Sequence, residues 1–174
     1  MVLIRNIARI IFTLALLVVT AGCGVKVKYS FSGVSVSPEV KTFSVSNFQN
    51  RASLVQPGLS QKLTDALLDM CQAQTNLKMV TSGGDVSFEG DITDYRTQPL
   101  TVSGDEQAAS NRFSISVRVR FVNTVDTDLS YEQTFTRYQD YDSTLDLSAV
   151  EVELSEEISK MLVEDIFNKA FVNW

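Results

Sequence analysis

The chain has 174 residues, of which 15 are basic and 21 acidic, and its net charge of −6 accompanies a sequence pI near 4.6. Such an acidic chain, without a concentrated run of lysine or arginine, lacks the basic surface typical of nucleic-acid binding, so we expect no nucleic-acid partner. The sequence contains no histidine, which removes the commonest general base and metal ligand and argues against sites built on that residue.

The N-terminus has the layout of a secretory signal peptide. Two arginines and no acid precede an apolar run over residues 10–19, which is too short to span a bilayer in the mature protein. The run ends in Thr-Ala-Gly-Cys, and two small residues before a cysteine suit the peptidase that processes lipoproteins. We therefore predict a signal peptide over residues 1–22 and lipid modification of Cys23. The alternatives are an uncleaved N-terminal anchor helix and a buried hydrophobic helix whose cysteine is incidental.

Lipidation would tether the mature chain to a membrane. Each buried methylene contributes about 0.8 kcal/mol, so several acyl chains bind far more firmly than one. Cleavage removes two of the 15 basic residues and none of the 21 acidic ones, which lowers the net charge from −6 to −8. Residues 23–39 are predicted to form a lipidated tether, and the lack of an acidic tract after Cys23 favours a periplasm-facing orientation. Cys71 is interpreted as a small buried hydrophobic residue.

The folded domain is predicted to begin at residue 40 with a strand and a helix. Residues 41–48 alternate around Phe43 and Val45, which is typical of a strand. Pro57 suits the first turn of a helix, where its missing N–H does no harm. The helix that follows has an apolar stripe formed by Leu59, Leu63, Ala66, Leu67, Met70 and Cys71.

Two strongly alternating strands come next. A turn at residues 81–84 ends the helical region, and residues 85–95 alternate as a half-buried strand. Residues 98–111 are polar and contain a proline and a glycine, which predicts a loop long enough to be functional or mobile. The clearest strand covers residues 113–121, with large apolar residues on one face and serines and arginines on the other.

Residues 129–138 are predicted to form a hairpin with this strand around a turn at 123–128. A turn centred on Asp126 sets the register, and a slip of one residue would turn every side chain to the opposite face. The cross-strand neighbours in this register are Phe121 and Tyr131, Val117 and Phe135, and Arg120 and Glu132.

The C-terminal segment is predicted to form a long amphipathic helix. It starts at Ser148, and Glu151 would complete a capping box. Its apolar stripe comprises Val152, Leu154 or Ser155, Ile158, Met161, Leu162, Ile166, Phe167 and Ala170.

The order strand, helix, three strands, helix predicts an α+β fold. Each alternating strand has one apolar face, so we expect the two helices to cover one face of a roughly four-stranded mixed or antiparallel sheet. The prediction is a single domain over residues 40–174, after the signal peptide and the tether.

No catalytic constellation is apparent in the sequence. It has no nucleophile elbow, phosphate-binding loop or dinucleotide fingerprint. The acidic residues at 126–128 and 140–142 lack the pattern of a calcium loop and are interpreted as turn residues. Glu89 and Asp91 lie on one strand face, as a glycosidase pair can, but alternation in an acidic strand produces such pairs by default. We expect no enzymatic activity, no metal and no cofactor.

Four arginines are candidates for anion binding. Arg118 and Arg120 lie on the polar face of the clearest strand, and Arg96 and Arg112 are close to it in sequence. A guanidinium group can bind phosphate or carboxylate through two parallel hydrogen bonds. The alternative is that these arginines solvate an open sheet face and that Arg120 pairs with Glu132.

Several segments resemble the LptE family of lipopolysaccharide-assembly lipoproteins, in its divergent Bacteroidota-type branch. The likeness covers essentially the whole mature chain. The segments are YSFSG at 29–33, VKTFSV at 40–45 with FQNRA at 48–52, LSQKLTDAL at 59–67, FEGDITDY at 88–95, and VEDIFNKA at 163–170 with NW at 173–174.

This resemblance implies a lipoprotein of the outer membrane, anchored by lipid and facing the periplasm. The family fills the lumen of the LptD β-barrel as a plug, assists assembly of that barrel and helps lipopolysaccharide reach the outer leaflet. Its partners here would be an LptD-like barrel, lipopolysaccharide and the membrane, with Arg96, Arg112, Arg118 and Arg120 as candidate lipopolysaccharide contacts. The alternative function is a free-standing periplasmic lipoprotein that binds lipid or glycolipid.

Overall fold

A computed structural model describes residues 36–54, 56–100 and 110–172. The predicted signal peptide, Cys23 and the tether up to residue 35 lie outside the described residues, and so does the segment 101–109. Val40 is buried and Val36 packs against the core. The described domain therefore already makes core contacts at the end of the predicted tether.

The described residues form two helices and six strands. The strands are β1 (Thr42–Val45), β2 (Gln49–Asn50), β3 (Lys78–Met79), β4 (Val86–Leu100), β5 (Ser110–Asn123) and β6 (Tyr131–Asp142). The helices are α1 (Leu59–Gln74), which follows β2, and α2 (Leu147–Phe171), which follows β6.

The strands form one mixed sheet in the order β3-β1-β4-β5-β6, with β2 pairing with β4 beside β1. Strands β4, β5 and β6 are antiparallel, whereas β1 runs parallel to β3 and β4. The α+β class is confirmed, but the sheet has more strands than the four predicted. The additional strands β2 and β3 have two residues each, too few to show an alternating pattern.

Asp85 holds β1 against the start of β4. Its carboxylate oxygen Oδ2 accepts hydrogen bonds from the backbone N–H groups of Lys41 at 2.8 Å and Thr42 at 2.9 Å. These bonds, led by that from Lys41, lower the pKa of Asp85 because they favour the charged carboxylate. A carboxylate 43 residues away in sequence from Thr42 thus fixes where β1 joins the sheet.

The predicted hairpin register is confirmed. Phe121 lies opposite Tyr131, Val117 opposite Phe135, and Arg120 opposite Glu132. The predicted loop at 98–111 is too long, because β4 continues to Leu100 and β5 begins at Ser110, and these ends pair with each other. These strand ends are polar, so their composition predicts a loop although they pair as strands. Strand β6 begins later than predicted, because residues 127–129 form a short 3-10 turn. It also ends later, at Asp142.

Both helices cover the same face of the sheet, where the large side chains of β4 and β5 point. The apolar face of β5 is completely buried there, and Cys71 on α1 is buried as predicted. Burial raises the pKa of the Cys71 thiol to about 12, so this cysteine stays protonated at neutral pH.

Four phenylalanines from three elements pack where α2 ends on the sheet. The ring of Phe121 lies 5.0 Å from that of Phe88 and 6.1 Å from that of Phe171, and Phe167 lies 5.2 Å from Phe171. Aromatic pairs at such distances contribute about 0.5–1.5 kcal/mol each beyond their burial. This cluster anchors the C-terminal end of α2.

Both helices start differently from the sequence prediction. Helix α1 begins at Leu59, so Pro57 precedes it instead of occupying its first turn. Helix α2 begins at Leu147, and its N-cap Asp146 makes no side-chain capping bond. The predicted capping box is wrong because Glu151 accepts a hydrogen bond from the Tyr95 hydroxyl on β4, at 2.5 Å.

The apolar stripe of α2 is largely as predicted, with Ser155 rather than Leu154 fully buried at the ambiguous position. Val152 is an exception, since its exposed fraction is 59%. Ser159 and Val163 are buried instead, so the buried stripe is broader than the sequence pattern indicates.

Candidate functional site

The face of the sheet opposite the helices is polar. On β5 it presents two serines, Ser114 and Ser116, followed by two arginines. The serines are buried by their neighbours, and the Ser116 hydroxyl lies 2.8 Å from that of Thr136 on β6. The arginines Arg118 and Arg120 are exposed, so the accessible part of this face is charged.

A polar groove of about 590 Å³ crosses this face at the end near β2. We call it the charged groove. Its charged residues are three arginines and three acids, so their formal charges cancel. They are Arg51, Arg118, Arg120, Glu89, Asp91 and Glu132.

Asp91 is the centre of the charged groove. Its carboxylate accepts a hydrogen bond from Arg51 Nε at 2.7 Å and another from Arg118 Nη2 at 2.8 Å. The side chain is only 18% exposed, so the arginines shield it from water. The hydrogen bonds from Arg118 and then Arg51 lower the pKa of Asp91, because both favour the charged carboxylate.

The ion pairs of β5 with β4 follow the register, whereas the one with β6 is diagonal. Glu132 lies opposite Arg120 in the register, but its carboxylate is 3.8 Å from Arg118 Nε. Arg120 instead lies 4.0 Å from Glu89 on β4. The predicted Arg120–Glu132 ion pair is therefore wrong, because Arg120 pairs with its register partner on β4 and Glu132 reaches the diagonal neighbour Arg118.

The other two candidate arginines lie apart from this groove. Arg112 makes two parallel hydrogen bonds to Asp140 at 2.7 and 2.9 Å and stacks on the Tyr138 ring at 3.7 Å. Arg96 pairs with Asp94 at 3.0 Å. Arg112 is six positions from Arg118 on β5, about 20 Å along a strand. The four arginines therefore form two separate groups on one face.

Arg51 belongs to the charged groove but was missed by the sequence analysis. It follows β2 directly, and its backbone N–H donates to the carbonyl of Ile92 on β4. The pairing of β2 with β4 brings it to Asp91, 40 residues away. A single arginine after a two-residue strand carries no local signal of this position.

The carboxylates of the open face are counterions. Glu89 and Asp91 face Arg120 and Arg118, so they do not form an acid and base pair across an empty cleft. Within the described ranges, no three Cys, Asp or Glu side chains come together as a metal site. The paired carboxylates and arginines of the open face are therefore suited to binding charged or hydrated groups.

The two acidic turn segments have different roles. Asp126 accepts from the Asp128 N–H, and Asp142 accepts from the N–H and hydroxyl of Thr144, as expected of turn residues. Asp140 lies within β6 and pairs with Arg112, so the prediction of a turn role is wrong for that residue. That ion pair lowers the pKa of Asp140 because it stabilises the carboxylate.

Residues 40–170 match the family model described as LptE, lipopolysaccharide-assembly. The chain belongs to the LptE family. The match covers three quarters of the sequence and nearly all of the described domain. No curated protein sequence matches the chain, so the family model carries this identification.

Several solved structures of bacterial proteins resemble this member of the LptE family. The uncharacterized lipoprotein B from Nitrosomonas europaea is 15% identical, with a TM-score of 0.52 over 83% of this chain and 88% of that one. A putative neuraminyllactose-binding hemagglutinin homolog from Helicobacter pylori is 8% identical, with a TM-score of 0.53 over 81% of this chain and 88% of that one.

A minor lipoprotein from Acinetobacter baumannii is 13% identical, with a TM-score of 0.49 over 75% of this chain and 91% of that one. At these identities the likeness of all three concerns the fold alone. Across the part of the chain that the structure describes, no helix is long and apolar enough to cross a membrane.

Proposed function

We propose that this protein is an outer-membrane lipoprotein that plugs and helps assemble an LptD-like β-barrel and assists lipopolysaccharide insertion into the outer leaflet. The observation that carries the proposal is the LptE family match, which spans residues 40–170. The lipid anchor at Cys23 would hold the domain at the membrane where the barrel is built.

The open sheet face supports the plug role physically. The lumen of a large outer-membrane barrel is polar, so a domain that enters it must present hydrated groups instead of apolar ones. On this face the charged residues of the groove pair with one another, and the partly exposed Arg112 pairs with Asp140. Exposed ion pairs are weak, about 0–1 kcal/mol each, so they can exchange for contacts with a barrel wall at little cost.

Crosslinking in intact membranes tests the proposal. We expect the tagged protein to crosslink to a large outer-membrane β-barrel and to remain with it after mild detergent extraction. An unrelated lipoprotein of the same membrane, tagged in the same way, should recover no barrel. Elution of this protein without a barrel would contradict the proposal, and acyl-chain binding in that state would favour the free-standing lipid-binding alternative.

Charge changes in the charged groove test lipopolysaccharide contact. Arg118→Glu combined with Arg120→Glu should weaken lipopolysaccharide binding in a pull-down about tenfold or more, because a charge-assisted hydrogen bond contributes about 1.5–3 kcal/mol. Asp91→Asn should strengthen binding, because it releases Arg118 and Arg51 from their shared carboxylate.

Arg137→Glu is the matched control for the two arginine changes. Arg137 is an exposed arginine on the neighbouring strand, but it pairs with Asp165 on α2, on the other side of the sheet. Its replacement should leave lipopolysaccharide binding unchanged in protein whose circular dichroism shows a folded domain. Equal binding by all the variants would remove Arg118 and Arg120 as contacts.

A further inference from the structure

The two helices form a groove on their outer side, away from the sheet. Its volume is about 940 Å³, and we call it the helix groove. Six apolar side chains from both helices line it, Ala149 of α2 among them. The other five are Leu59, Ala66, Met70, Val152 and Val163.

The charged residues around the helix groove are mainly acidic. Five acids line it against two lysines, Lys62 and Lys160, so the local charge is clearly negative. Carboxylates around an apolar floor repel anionic lipid and a second copy of the same groove, and they attract cationic groups. The acids are Asp65, Asp69, Glu153, Glu156 and Glu157.

Ser159 gives an independent indication of a ligand. Its side chain lines the helix groove and is only 6% exposed, yet its hydroxyl has no hydrogen-bond partner. A buried unpaired hydroxyl costs about 1–3 kcal/mol, so such groups are rare unless something pairs with them. Ser155, the buried serine one turn earlier in α2, bonds to the carbonyl of Glu151, whereas Ser159 makes no such bond.

We propose that the helix groove binds a cationic amphipathic helix of a partner protein. The apolar face of the partner helix would cover the apolar floor of the groove, including Val152, which is otherwise 59% exposed. Its lysines or arginines would pair with the acids, and one ammonium group could donate to the Ser159 hydroxyl, which has two acceptor lone pairs. Helix α2 has 25 residues, about 37 Å at 1.5 Å per residue, so it offers a partner helix several turns of contact.

A peptide titration tests this inference on the full lipidated chain in neutral detergent. The probe is a fluorescent amphipathic peptide with leucines on one helical face and lysines on the other, followed by fluorescence anisotropy. Glu153→Lys combined with Glu156→Lys should weaken its affinity about tenfold or more. Ser159→Ala should weaken it a few-fold without lowering thermal stability, since no bond in the free protein is lost.

Two controls separate groove binding from binding to the detergent. The same peptide with every lysine replaced by glutamate should not bind. Glu164→Lys changes an exposed acid of α2 that does not line the groove, and it should leave affinity unchanged. Equal binding of both peptides, or equal affinities of wild type and the groove variant, would overturn the proposal.

A photoreactive side chain at Val152 tests the occupant in intact cells. A crosslink to a basic amphipathic helix of another protein supports the proposal. A crosslink to this chain's own residues 24–35, to a second copy or to lipid would overturn it, and so would the absence of a crosslink. The helix groove and the open sheet face are on opposite sides, so these results are independent of barrel recovery.

Discussion

Gly90→Ala should destabilise the domain by about 1–3 kcal/mol, the usual cost of forcing extra volume into a packed core. A Cβ atom at residue 90 would lie 2.2 Å from Phe48 Cε1 and 2.5 Å from Phe48 Cδ1. The Phe48 ring is completely buried, so it has no free space into which it can swing. Gly90 is therefore required by the close approach of this ring to the strand.

The backbone of Phe48 is also fixed, which strengthens this prediction. Its N–H donates to the Thr64 hydroxyl at 3.1 Å, and its carbonyl accepts a hydrogen bond from the Ser60 hydroxyl. Both partners belong to α1. Relief of the clash would have to move the segment between β1 and β2 away from that helix, and these bonds would weaken.

A double-mutant cycle measured by urea denaturation isolates the clash. Phe48→Ala alone should cost about 3–5 kcal/mol through the cavity that it leaves. In that background Gly90→Ala should cost much less, because the ring is absent and alanine loses less backbone entropy than glycine. Only the Arg118 carbonyl oxygen, 3.0 Å from the added Cβ, then remains close to it. Equal costs of Gly90→Ala in both backgrounds would show that the ring contact is not the cause.

The sequence was most informative where one strand has a long alternating pattern. In β5, five apolar residues at every second position fix the buried face, and a short turn then determines the pairing with β6. The start of α2 was less predictable, because Glu151 had a local partner in the capping-box pattern and a distant one in Tyr95. Desolvation and the bond to Glu151 raise the pKa of Tyr95, so its hydroxyl stays a donor. Tertiary contact took precedence over the local motif.

The contacts within the charged groove were even less predictable from the sequence than the start of α2. Alternation alone placed Arg118 and Arg120 on the open face of β5. Nothing local indicated that Asp91 would bind Arg118, or that Arg51 would join them through a two-residue strand. Partners that are 27 and 40 residues apart depend on the arrangement of the strands, which a residue pattern does not specify.

Removal of the predicted lipid anchor is expected to give the second large effect. Cys23→Ala should abolish acyl attachment, because alanine has no thiol to receive diacylglycerol, and the peptidase cuts only after that modification. The variant should therefore keep its residues 1–22 and migrate as a larger precursor. Metabolic labelling with a clickable palmitate analogue, followed by gel analysis, measures both consequences.

The chain provides its own control, since it has only one other cysteine. Cys71 is buried and its thiol stays protonated, so Cys71→Ala should leave labelling and processing as in the wild type. Loss of label in Cys23→Ala but not in Cys71→Ala would assign the lipid to Cys23. If Cys23→Ala were still labelled, processed and fully active, the anchor would have to lie elsewhere. The proposed partnership would then need another reason for the domain to meet its barrel at the membrane.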